Sequence, residues 1–192
     1  MRVGVLALQG AFREHVLMFE ALGAATVTVR LPGQMEGLDG MVIPGGESTA
    51  IAKLMRTYGF YEAIRERHSA GMAVWGTCAG AILMAREIGD ALPDQEPLGL
   101  MEISVRRNAY GRQVDSFETP LDIRHLGDRF PGVFIRAPLI ERVGSDVEVF
   151  AEHDGRIVAA REHALLATTF HPELTGDTRV HRFFMEEVIA AS

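Results

Sequence analysis

AVWGTCAGAILMA, residues 73–85, holds the only cysteine of the chain. Cys78 sits at the centre of G-T-C-A-G. A short apolar run ending near Gly76 precedes it, and the segment after it has helix-forming character. A nucleophile elbow has this context: a sharp strand-to-helix turn lifts one reactive side chain out of a sheet. Gly76, Ala79 and Gly80 suit the crowded backbone of such a turn. The N–H of Ala79 would face an oxyanion formed by attack from Cys78. A buried cysteine at a glycine-rich turn is the plainer alternative, and the strand–turn–helix placement favours the functional one.

The rest of the first half fits the same frame. Residues 3–8, 25–31, 40–46 and 72–76 read as strands. Segments 13–23, 48–59, 60–71 and 79–89 read as helices, with Gly23 past the end of the first and Ser48 capping the second. This alternation implies an α/β fold with a mostly parallel sheet covered on both faces. After the polar loop 91–99, short β-like runs dominate. Asp154-Gly155 marks a hairpin, and a helix over about 177–190 closes the chain. We expect one domain spanning 1–192.

Composition narrows the function. The 192 residues are 47% hydrophobic and carry a net charge of −7. That charge argues against nucleic acid and anionic membrane surfaces as partners. One cysteine excludes an internal disulfide and a multi-cysteine metal site. The N-terminal apolar run is too short for a signal-peptide core or a membrane span, so a cytoplasmic location is expected.

A thiolate nucleophile needs a proton partner. Of the seven histidines, His171 stands out in TTFHPEL, where a parallel strand would deliver it to the carboxyl edge of the sheet. Ligand sites in open α/β sheets lie at that edge. In extended geometry Glu173 would share its side and orient the imidazole. His15, His68, His125, His153, His163 and His181 read as helical or polar surface positions. The turn IPGGES at 43–48 offers backbone N–H groups to a ligand. It is no P-loop, because it lacks the lysine-containing phosphate motif.

P-G-G-E-S, G-T-C-A-G and H-P-E, in this order, resemble the class I (triad) glutamine amidotransferases. LALQGAFREH at the start, VRRNAYGRQVDSFE at 105–118, GVFIRAP at 132–138 and FHPELTGD narrow the resemblance to the glutaminase subunits of pyridoxal 5′-phosphate synthases. It runs almost from end to end. It implies a flavodoxin-like fold, hydrolysis of L-glutamine without a cofactor or metal, and transfer of ammonia to a synthase subunit within a large hetero-oligomeric complex. It further implies Cys78 as nucleophile, His171 as acid–base and Glu173 as its orienting group. Gly46 and Ala79 would form the oxyanion hole. Gly46, Glu47, Ser48, Arg107, Ile135 and Arg136 would contact glutamine, and Gln9 would lie near the synthase interface. The competing expectation is a stand-alone DJ-1-like cysteine hydrolase or stress protein, in which H-P-E with P-G-G-E-S is not expected.

Overall fold

A computed structural model of the chain describes residues 1–92, 95–107 and 116–191. The elements run β1 (Arg2–Leu6), α1 (Phe12–Ala21), β2 (Ala25–Val29), β3 (Gly40–Ile43), α2 (Ser48–Thr57), α3 (Phe60–Ser69), β4 (Ala73–Thr77) and α4 (Ala79–Met84). Then follow β5 (Ala85–Ile88), β6 (Met101–Arg106), β7 (Ser116–Leu121), β8 (Phe130–Ile135), β9 (Leu139–Val143), β10 (Glu148–His153), β11 (Arg156–Glu162), β12 (Leu165–Thr168) and α5 (Arg179–Phe183). Wider and tighter helical turns extend α5 to Ala191.

The main sheet is ten-stranded, in the order β2-β1-β3-β4-β12-β11-β9-β6-β5, with β10 paired to β11. The first five positions are parallel throughout. With β12 in the fifth place, this is the flavodoxin-like order. From β12 to β6 the pairing turns antiparallel, as the β-rich second half leads one to expect. β7 and β8 form a separate antiparallel pair.

Alternation along the strands explains why both faces are covered. In β3, Met41 and Ile43 face one core and Val42 the other; in β4, Val74 faces the first and Trp75 the second. Ile51 and Met55 of α2, Ile64 of α3 and Leu83 of α4 close the first core. Phe19 of α1 and Val180, Phe183 and Phe184 at the C-terminus close the second. Each such buried aliphatic or aromatic side chain contributes about 1.5–3 kcal/mol.

Three local readings are corrected. The segment 79–89 is not one helix: α4 stops at Met84 and the chain becomes β5, whose register with β6 pairs Ala85 with Met101 and Ile88 with Val105. Strand β9 has no counterpart in the sequence reading. It lies between β11 and β6. Ser48 opens α2 but does not cap it. Glu47 does, its carboxylate accepting from the Thr49 and Ala50 N–H groups. The Asp154-Gly155 turn is as expected, with φ of 50° and 70° between β10 and β11, the two positive values of a type I′ hairpin.

Candidate active site

Four neighbouring parallel strands end on one edge, and each delivers part of the site. β1 leads to Gln9, β3 to the Pro44–Glu47 turn, β4 to Cys78 and β12 to His171. Cys78 adopts φ 48° and ψ −103°, a conformation that costs a side-chain-bearing residue about 1–3 kcal/mol and persists only where the surroundings enforce it. The Cys78 N–H donates to the Thr168 carbonyl at 2.8 Å, which ties the elbow to β12. The thiol faces the Ile135 carbonyl oxygen at 3.9 Å.

His171 arrives from the adjacent strand end, and its N–H donates to the Val133 carbonyl at 2.8 Å. That bond docks the β7–β8 pair against the elbow and brings Ile135 and Arg136 to the site. Imidazole Nδ1 lies 2.7 Å from Glu173 Oε1. The two residues meet through a 3₁₀ turn, Pro172–Leu174, rather than through the extended geometry expected. Burial on its own would lower the His171 pKa. Hydrogen bonds with Cys78 and Glu173, and the charges of both, outweigh it and raise the value to about 10.

The turn after β3 is held from two sides. The Gly45 N–H donates to the Thr77 hydroxyl at 2.9 Å, and the Gly45 carbonyl accepts from the Ala11 N–H at 3.0 Å. A trans peptide points its N–H opposite its carbonyl, so the Gly46 N–H projects away from the Gly10–Ala11 turn. The Glu47 N–H donates to Gln9 Oε1 at 2.8 Å. Burial tends to raise the Glu47 carboxyl pKa. Hydrogen bonds from Thr49 and Ala50, with Arg107 nearby, hold it below its usual value.

These parts enclose a cleft of about 350 Å³ lined by Gln9, Gly46, Glu47, Ser48, Cys78, Ala79, Ile82, Arg107, Ile135, Arg136 and His171. Every residue singled out in the sequence lines it except Glu173, which is buried behind His171. Ile82 is the addition. Residues 108–115 of the 105–118 motif lie outside the described residues. A second cleft of about 340 Å³ carries Arg86, Glu87, Glu102 and Arg142. Its charges pair with each other, Arg86 with Glu102 and Arg142 with Glu87.

Residues 5–190 match the SNO glutamine amidotransferase family. The chain belongs to that family. Curated relatives include the pyridoxal 5′-phosphate synthase subunit PdxT of Herpetosiphon aurantiacus, 57% identical over 96% of this chain and 99% of the relative. The PdxT of Deinococcus radiodurans is 53% identical over 96% of each. A solved structure of a glutamine amidotransferase superposes with a TM-score of 0.92 at 49% identity, covering 98% of both chains. PurLQS from Thermotoga maritima, at 15% identity and TM-score 0.73, shares the fold. The chain is therefore a glutamine amidotransferase of the kind that serves vitamin B6 synthesis, and the DJ-1-like alternative is not favoured.

The SNO-family site also contains residues that the sequence reading passed over. Gln95, in the polar loop 91–99, is 4% exposed. Its Nε2 donates to Ser48 Oγ at 2.8 Å, and its Oε1 accepts from Arg107 at 2.8 Å. His15 and His181 are fully buried, not surface positions. Nδ1 of His15 lies 2.9 Å from His181 Nε2. Burial, then the neighbouring His181 and His171, keep the His15 pKa well below its ordinary value; burial takes His181 to about 3. The G-A-F-R-E-H motif contained His15, but no local pattern separates an inward polar histidine from an outward one.

Proposed function

We propose that Cys78, His171 and Glu173 hydrolyse L-glutamine to L-glutamate and ammonia. His171, held protonated at neutral pH by its raised pKa, pairs with Cys78 as Sγ attacks the side-chain amide carbon. The N–H groups of Gly46 and Ala79 hold the tetrahedral oxyanion. As the C–N bond breaks, His171 gives its proton to the leaving nitrogen. Ammonia departs and a γ-glutamyl thioester remains on Cys78. His171 then activates water by taking its proton, the hydroxide attacks the thioester carbon, and glutamate leaves with His171 again protonated beside Cys78. Glu173 orients the imidazole and balances its positive charge. Ser48, Arg107, Ile135 and Arg136 shape the amino-acid end of the cleft, and Glu47 holds the loop that carries Gly46.

The convergence of nucleophile, base and orienting acid on one cleft carries this reading. Ammonia released into water at neutral pH is protonated and diluted, so a partner that receives it directly fits the chemistry. We assign that role to the synthase subunit of a pyridoxal 5′-phosphate synthase, in a large hetero-oligomeric complex, with the Gln9 side of the cleft near the interface. The whole chain, 1–192, would act as one glutaminase domain in the cytoplasm. No helix among the described residues is long and apolar enough to cross a membrane. The test is glutamine hydrolysis by the chain with and without the synthase subunit. Glutamate and ammonia in equal amounts, with a faster rate when the partner is present, is expected. No hydrolysis in either condition overturns the reading.

A further inference from the structure

Glu173 has two carboxylate oxygens, and the triad uses one. Oε1 takes His171 at 2.7 Å. Oε2 is buried with no hydrogen bond of good geometry among the described residues, and His15 Nε2 stands 3.4 Å from it. The same His15 nitrogen is 3.2 Å from Thr77 Oγ1, the atom that accepts the Gly45 N–H. One fully buried histidine thus adjoins both the orienting acid and the anchor of the glycine turn. Leaving a buried carboxylate oxygen without a donor is costly, and few donors reach this one.

We infer that His15 is a positioning residue of the glutaminase reaction: its Nε2–H donates to the Thr77 hydroxyl that anchors the Gly45-Gly46 turn and lies beside Glu173 Oε2, where its dipole steadies the carboxylate that orients His171. This rests on the glutaminase reading above.

The tautomer follows from the neighbours. His181 Nδ1 is buried and has no partner among the described residues. If His15 carried its proton on Nδ1, it would donate to His181 Nε2, and the proton of His181 would then sit on Nδ1 with nothing to accept it. The Nε2 lone pair of His15, accepting from the Thr77 hydroxyl, would also face the Glu173 carboxylate. With both rings protonated at Nε2, His181 donates to His15 Nδ1 and His15 donates to Thr77 beside Glu173. What is then left without a partner is the His181 Nδ1 lone pair and the Thr77 hydroxyl proton, on an O–H that can rotate, and no lone pair faces the carboxylate; that costs less than an orphaned ring N–H and a lone-pair–carboxylate contact together. Phe19 and Trp75 fix the pair: the His181 ring centroid lies 4.9 Å from each, and the His15 ring packs edge-on to Trp75 at 5.4 Å.

Two measurements test the inference. The first uses the unaltered chain: ¹⁵N-edited NMR of the histidine side chains near neutral pH. A proton on His15 Nε2 is expected, and a proton on Nδ1 overturns the assignment whether or not the chain hydrolyses glutamine. The second uses the complex with the synthase subunit. His15→Leu should lower kcat by about 10–100-fold with KM little changed, the signature of lost transition-state positioning. His15→Gln, which keeps a donor at similar reach, should recover most of that loss. Equal losses in the two variants, or a rise in KM with kcat intact, would show that His15 only fills space. A complex that is inactive before any substitution would instead overturn the glutaminase reading and leave the NMR result standing.

Discussion

Gly80 of α4 lies directly against Ile43 of β3: a Cβ added at Gly80 would sit 1.9 Å from the Ile43 carbonyl oxygen. The obstruction is backbone, so no side chain can move aside to relieve it. Gly76 is closed from the other direction, with the Gly80 carbonyl atoms 2.5 Å from its own ideal Cβ position. The glycines of G-T-C-A-G let the elbow nest into the sheet and hold Cys78 above the strand ends. Gly80→Ala should therefore push α4 off β3, lowering stability by about 1–3 kcal/mol and misplacing the nucleophile. Urea unfolding and glutamine hydrolysis read the two effects. A variant with unchanged stability and rate would show that the close approach does not matter.

Cys78, the nucleophile we propose, also carries backbone strain, and two substitutions separate the two roles. Cys78→Ala and Cys78→Gly both remove the sulfur, and each should cost about 10³-fold or more in hydrolysis, the scale for losing a triad nucleophile. Only glycine tolerates φ 48° with ψ −103° without a Cβ clash. Cys78→Gly should accordingly be more stable than Cys78→Ala by about 1 kcal/mol, the strain released less the greater freedom of glycine in the unfolded chain. An alanine variant at least as stable as the glycine variant would show that the elbow is unstrained.

The candidate site was legible because its signals are local. G-T-C-A-G, P-G-G-E-S and H-P-E each lie within a few residues, and the parallel strands that carry them announce themselves as short apolar runs. What the sequence hid depends on distant partners. β5 follows α4 without a break and carries two exposed charges, Arg86 and Glu87, and only its bonds to β6 make it a strand. His15 lies 62 residues from Thr77 and 166 from His181, so nothing near it marks it as buried. Gln95 stands in a loop of turn-forming residues. It is held in place when the Tyr61 hydroxyl and the Arg65 guanidinium of α3 donate to the Glu96, Pro97 and Leu98 carbonyls.

Stability should fall on both sides of neutrality, for different reasons. His181, taken to about 3 by burial, and His15, lowered by burial, His181 and His171, bind fewer protons folded than unfolded. Their contribution is complete above an unfolded value of about 6.5 and drains as pH falls below it, for His181 toward about 3. His171 has the opposite sign. Burial lowers it, yet hydrogen bonds with Cys78 and Glu173 lift it to about 10, so its contribution is complete below about 6.5 and is lost as pH rises through about 10. His171→Asn should flatten the alkaline decline and leave the acid decline in place, as read from urea midpoints across the pH range. Parallel profiles for the variant and the unaltered chain would remove the argument for His171.

Gln95 should act on substrate affinity rather than on chemistry. Its amide is satisfied at both ends, donating to Ser48 and accepting from Arg107, and both of those side chains line the cleft. Arg107 has a long, rotamer-rich side chain, and fixing it in advance spares an ordering cost when substrate binds. Gln95→Ala frees the guanidinium and leaves the buried Ser48 hydroxyl without this donor, while Cys78, His171 and Glu173 keep their contacts. KM for glutamine should rise about tenfold, the effect of one lost hydrogen bond to a charged group, with kcat within a few-fold. Gln95→Glu sharpens the test, because a carboxylate still pairs with Arg107 but cannot donate to Ser48. Steady-state kinetics of the complex should place it between the alanine variant and the unaltered enzyme. A fall in kcat at unchanged KM would mean that the loop governs the chemical step and not the binding of glutamine.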